Sequence, residues 1–164
     1  MISAAEKTVG LLKKHNLKIA SAESCTGGMF SRYITAVSGA SSVFELGIAS
    51  YSSRIKHKIL NVNEDTLKKE GAISSNTASQ MAENIRSLAD ADIGVAVTGN
   101  AGPSADENKA VGLVYIALSF KNKTEVKKLN IIPKSRELVR KTVCLELFNL
   151  ICEHIRFESI EENI

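Results

Sequence analysis

This sequence predicts a single α/β domain: a three-layer α/β/α sandwich around a mixed, mostly parallel sheet. Three observations carry that prediction. Helical and strand periodicities alternate through the first half of the chain, and two strand-like runs in the second half are separated only by Lys121, Asn122 and Lys123. The length, 164 residues, suits one domain with a sizeable core and would be cramped for two. The composition, 44% hydrophobic and 24% charged, excludes disorder, collagen-like repeats and coiled coil. Residues 1–164 are therefore read as one domain, with an acidic tail over 158–164 expected to fray.

The elements follow in order. Ser3 and Glu6 read as a capping box, with Ala5, Val9 and Leu12 at helical spacing and an end near Asn16. Residues 17–22 form a short buried strand. Gly27 and Gly28 interrupt, and Met29, Phe30, Tyr33, Ile34 and Val37 resume as a helix face. A turn over 38–42 leads into a second strand ending at Tyr51. Ser52 or Ser53 starts a short helix, and Asn63 caps another that Gly71 stops. Ala78, Met81, Ala82, Ile85 and Leu88 mark one face of a longer helix. Residues 92–99 are the best buried strand in the chain, closed by Gly99, and a loop rich in polar and small residues follows. Residues 112–120 and 124–132 pair as a hairpin, and Ser135 caps a long last helix.

Lysine plus arginine number 21 and aspartate plus glutamate 18, a net charge of +3, too weak and scattered for a nucleic-acid-binding surface. No apolar run is long enough to span a membrane, and no secretory leader is visible, so a cytoplasmic protein is expected. Cys25, Cys144 and Cys152 read as reduced thiols. Neither they nor His15, His57 and His154 have metal-ligand spacing, so no metal and no cofactor are expected.

Three segments carry more polar and small residues than scaffolding needs. Residues 22–28 lie where a strand hands over to a helix, the side on which open α/β sheets bind ligands. Ser24 there suits attack on a carbonyl, with N–H groups near Thr26 and Gly27 holding an oxyanion. The same residues also suit a plain helix start. Lys56 falls near the first turn of a helix, where the dipole disfavours its charge and burial would make it a general base; a solvated lysine fits equally well. Thr98, Gly99 and residues 100–103 close a strand beside the same crevice, or simply make a turn. Arg136 and Arg140 suit an anionic group or a solvated helix face. Cys25 is a rival nucleophile without a histidine partner, and no histidine completes a recognisable triad.

Taken together, AESCTGG (22–28), GASSVFELGIASYSSRIK (39–56), GAIS (71–74), TGNAGP (98–103) and VGLVYIA (111–117) resemble the C-terminal domain of the competence/damage-inducible CinA family, in order and spacing over nearly the whole chain. The resemblance implies a three-layer α/β/α fold and a metal-independent serine amidohydrolase that deamidates nicotinamide mononucleotide (NMN). It implies Ser24 as nucleophile and Lys56 as base, with Tyr51 assisting proton delivery. It also implies Ser41, Thr98 and Arg136 as supporting positions beside Thr26, Gly27 and Gly99 in the substrate site. The partner expected is a pyridine mononucleotide, with neither nucleic acid nor membrane, and a homo-oligomer is compatible. Departures cluster in one place. Asn100 stands where the family usually has Ile, and residues 104–110 lack its glycine pair and the Pro before Val111-Gly112. Ala40 and Ser53 also replace a frequent Ser and Asn. These changes raise an alternative: a nucleotide-binding or regulatory domain with weak or no turnover.

Overall fold

The structure is a computed structural model that describes residues 1–121, 123–132 and 134–161. Five strands form one sheet: β1 (Ile19–Glu23), β2 (Phe44–Ala49), β3 (Ile93–Gly99), β4 (Leu113–Phe120) and β5 (Lys123–Asn130), in the spatial order β2-β1-β3-β4-β5. Strands β2, β1 and β3 are mutually parallel, while β4 is antiparallel to both β3 and β5. Four of the five strands thus point the same way. The hairpin is present, with Phe120 opposite Lys123; its central Asn122 lies outside the described residues.

The sheet's two faces differ in side-chain size, and this difference sets the layers. Ile93, Val95 and Val97 of β3 and Val114, Ile116 and Leu118 of β4 alternate onto one face, under α1 (Ile2–Lys14), α2 (Met29–Thr35) and α6 (Arg136–Glu161). Phe30 and Phe148 meet there with ring centroids 4.8 Å apart. On the other face Ala20, Ala22, Ala96 and Ala117 leave little height, so α5 (Ser75–Leu88) packs close to the strands through Ala78, Met81, Ala82 and Ile85. Gly94 is required at this contact. A Cβ there would lie 2.1 Å from the Ala82 carbonyl oxygen. Two short helices, α3 (Ser53–Leu60) and α4 (Glu64–Lys69), precede α5, and Leu60 and Val62 join its core. Among the described residues no helix is long and apolar enough to cross a membrane.

Most expected caps are present. Ser52 accepts from the Ile55 N–H, Asn63 from those of Asp65 and Thr66, and Ser135 from that of Leu138, while Ser74, which had no such expectation, accepts from that of Thr77. The first is not. Helix α1 begins at Ile2 with Met1 at its N-cap and no side-chain cap bond, so Ser3 and Glu6 form no capping box. Met1 and Ala4 already pack on the core, and that burial carries the helix back past Ser3. Leu88, expected on the buried face of α5, is 54% exposed at its last position. Helical backbone in α6 continues to Glu161, while the rest of the tail expected to fray, 162–164, lies outside the described residues.

Candidate active site

Strand parity places the pair at the centre of the site. Along β1, Ile19, Ser21 and Glu23 turn toward α2 and its neighbours, whereas Ala20 and Ala22 turn toward α5. Ser24, next in that alternation, emerges on the side of α3. There Lys56 donates from Nζ to the Ser24 Oγ at 3.0 Å and to the Ser50 carbonyl at 2.7 Å. Ser50 is itself fixed, its N–H donating to the Glu23 carbonyl at 2.8 Å, so the end of β2 holds the lysine against the end of β1. Lys56 is 1% exposed and Ser24 8%. Burial pulls the Lys56 ammonium down to about 8, against weaker opposing influences from Cys25 and Glu107. The sequence argument named the helix dipole and burial together, and burial is the first cause here.

The turn after Ser24 is held by residues that sequence reasoning missed. The buried Glu23 carboxylate accepts from the N–H groups of Phe30 (3.1 Å) and Ser31 (2.9 Å) and from the Ser31 hydroxyl (2.7 Å), capping α2 from a strand. Arg140 donates through Nε and Nη2 to the Thr26 carbonyl, and a Cβ at Gly27 would come within 3.3 Å of its Nη2. Gly27 and Gly28 take φ of +58° and +87°, the left-handed region that favours glycine. These contacts also correct the oxyanion expectation. The Gly27 N–H donates to the Ser24 carbonyl and that of Met29 to the Thr26 carbonyl, and those of Phe30 and Ser31 serve Glu23. The N–H groups of Thr26 and Gly28 have no acceptor among the described residues. The Thr26 hydroxyl is buried without a partner among the described residues.

A cleft of about 200 Å³ opens at Cys25, the residue after Ser24. Tyr51, Gly99, Gly102, Asp106 and Arg136 also line it. Arg136 donates to the Gly102 carbonyl at 2.5 Å and to the Tyr51 hydroxyl at 2.8 Å, bringing three expected or adjacent positions together. Cys25 is no rival to Ser24, since burial pushes its thiol up to about 12. His57, beside Lys56 in sequence, turns instead to the Val62 carbonyl and Glu64.

Two expected substrate contacts sit elsewhere. The Thr98 hydroxyl, on a buried side chain, donates to the Ala72 carbonyl at 2.6 Å and so positions the segment before α5. Ser41 lies in a 3₁₀ turn (Ala40–Ser42) ahead of β2, at the sheet end where Ile19 pairs with Phe44. That is opposite the end carrying Ser24, about 16 Å away along β1.

The altered loop is also built. Asn100, only 6% exposed, donates from Nδ2 to the carbonyls of Asp106 (3.1 Å) and Lys109 (2.8 Å). Glu107 accepts from the N–H groups of Ala72 and Ile73, and Lys109 donates to Glu107 and to the carbonyls of Glu70 and Ile73. Partial burial opposes the Glu107 charge, but Lys109 and the two N–H donors hold its carboxyl below the usual range. Among the described residues no three His, Cys, Asp or Glu side chains gather as a metal site.

Comparison with known proteins extends these observations. The model of the CinA C-terminal domain family matches residues 1–155. A relative from Caldanaerobacter subterraneus named for competence-damage induction is 43% identical over 95% of this chain, and one from Acetivibrio thermocellus 45% over 88%. The chain spans only 38% and 35% of those relatives' lengths. A crystal structure of a CinA superfamily protein from Klebsiella pneumoniae superposes with a TM-score of 0.92 at 25% identity, covering 95% of this chain and 98% of the other. A competence/damage inducible protein from Agrobacterium tumefaciens gives a TM-score of 0.88 at 30% identity, covering 92% of each.

Proposed function

This chain belongs to the CinA C-terminal domain family, and from that premise we propose that it is a serine amidohydrolase that converts nicotinamide mononucleotide to nicotinic acid mononucleotide and ammonia. One observation carries the reading: a nearly solvent-free lysine, its ammonium disfavoured, within 3.0 Å of the hydroxyl of the serine that directly precedes the cleft-lining Cys25.

Neutral Lys56 accepts the Ser24 proton as Oγ bonds to the carboxamide carbon. The N–H groups of Thr26 and Gly28, which have no acceptor among the described residues, are the donors for the oxyanion. As the C–N bond breaks, Lys56 returns the proton to the departing nitrogen, which leaves as ammonia. Tyr51, oriented by Arg136, stands beside that step. Water then attacks the ester while Lys56 takes its proton, and Ser24 leaves reprotonated with the carboxylate product. Arg136 is the counter-charge for the phosphate.

Ammonia release from NMN by the whole chain tests this directly. The parent protein should turn over, and Ser24→Ala and Lys56→Ala, each folded by circular dichroism, should lose at least about a thousandfold in kcat. A folded parent without turnover would remove the amidase assignment. It would favour a second reading, a nucleotide-binding domain without catalysis, whose motivation is the 100–111 loop in the cleft wall.

A further inference from the structure

Among the described residues, the cleft at Cys25 is lined by one cation and one anion, and the anion makes no ion pair. Arg136 is oriented by the Gly102 carbonyl and the Tyr51 hydroxyl and retains further N–H donors. Asp106 lines the same cleft with an exposed carboxylate. Its Oδ1 accepts the Glu107 N–H at 2.8 Å, and it makes no ion pair among the described residues. The nearest basic residue in sequence, Lys109, is committed to Glu107 and to the carbonyls of Glu70 and Ile73.

The position of this carboxylate is fixed from both sides. Asn100 donates to the Asp106 carbonyl itself, residues 106 and 109 bridge as a short antiparallel pair, and Glu107 is anchored on the N–H groups of Ala72 and Ile73. The loop therefore holds the backbone that carries the Asp106 carboxylate at the cleft. A lone phosphate entering such a cleft meets repulsion from Asp106 as well as attraction from Arg136. A neutral amide shields the carboxylate from water and returns nothing. A ligand cationic at one end and anionic at the other satisfies both.

We infer that Asp106 is a specificity-determining residue that recognises the positive charge of an N-substituted pyridinium carboxamide, while Arg136 takes the anionic group on the substituent. The inference rests on the amidase reading of Ser24 and Lys56.

The test compares NMN with its neutral isostere, the benzamide C-nucleotide, on the intact protein and on Asp106→Asn, which keeps an acceptor for the Glu107 N–H. For NMN, kcat/KM should fall about tenfold in D106N, the size of one partly exposed charge contact. For the neutral isostere it should change less than about twofold, and D106E should recover most of the NMN rate. An equal fall on both substrates, or no fall on either, overturns the assignment. Should the wild type release ammonia from neither, the amidase reading fails and calorimetry with the same two ligands decides. NMN binding weakened in D106N with the isostere unaffected sustains Asp106; absent NMN binding, or equal weakening, overturns it too.

Discussion

Lys56 shows how one residue's burial controls both rate and stability. Its ammonium sits near 8 because desolvation penalises the charge, so at pH 7 about a tenth of the molecules carry the neutral base. For the proposed reaction, kcat/KM should rise about tenfold per pH unit below 8 and level off above it. The same displacement costs stability. In the unfolded chain the lysine holds its proton to about 10.5, so between 8 and 10.5 the unfolded state binds more protons than the folded one and stability rises with pH. Lys56→Met should accordingly stabilise the fold at pH 7 by about 1–3 kcal/mol, a gain that disappears toward pH 10.5 in urea denaturation. The types and spacing of Ser24 and Lys56 were legible in the sequence, but their contact was not. A lysine among Lys58, Lys68 and Lys69 reads as solvated until its burial is known. Glu23 was hidden for the converse reason: a carboxylate ending an apolar strand gives no sign that a helix's free N–H groups lie opposite it.

At the level of elements, the loop between β3 and β4 is where this chain differs from its relatives' usual pattern, and Asn100 is what makes the difference a structure. Replacing it by Ile, the residue expected there from the resemblance, removes the donor to two carbonyls of the loop. Asn100→Ile should lower stability by about 1–3 kcal/mol and make residues 104–110 a site of early cleavage in limited proteolysis. The loop's existence could be read from composition, but its anchoring onto residues 72–73 could not, because Glu107 and Ala72 are brought together only by the sheet order. Helices were more legible. Three side-chain caps matched their sequence signals, and the one that failed, Ser3 with Glu6, lost to burial of Met1 and Ala4.

Across the whole molecule, the alternation of large and small side chains makes two unequal layers. Val and Ile support three helices on one side, and Ala and Gly admit one closely packed helix on the other. Gly94→Val would drive side-chain atoms into the Ala82 carbonyl and Arg86, an overpacking that costs at least about 1–3 kcal/mol and should appear as a lowered Tm. Composition and periodicity disclosed the α/β class, the buried β3 and the hairpin. They did not disclose that β1 lies between β2 and β3, since nothing local in a short apolar run names its neighbours.

That arrangement leaves β2 at the margin of the sheet, paired on one side only, with side chains alternating between half-buried and exposed. Yet the Ser50 carbonyl at its end is what steadies Lys56. Such a margin is the part of a sheet that opens first in local unfolding. Under rising urea, ammonia release should therefore vanish before far-ultraviolet dichroism changes, and amide protons of residues 44–50 should exchange ahead of those in β3. The working centre of this molecule would then report on its frontier, failing while the core around Val95 and Phe148 is still intact.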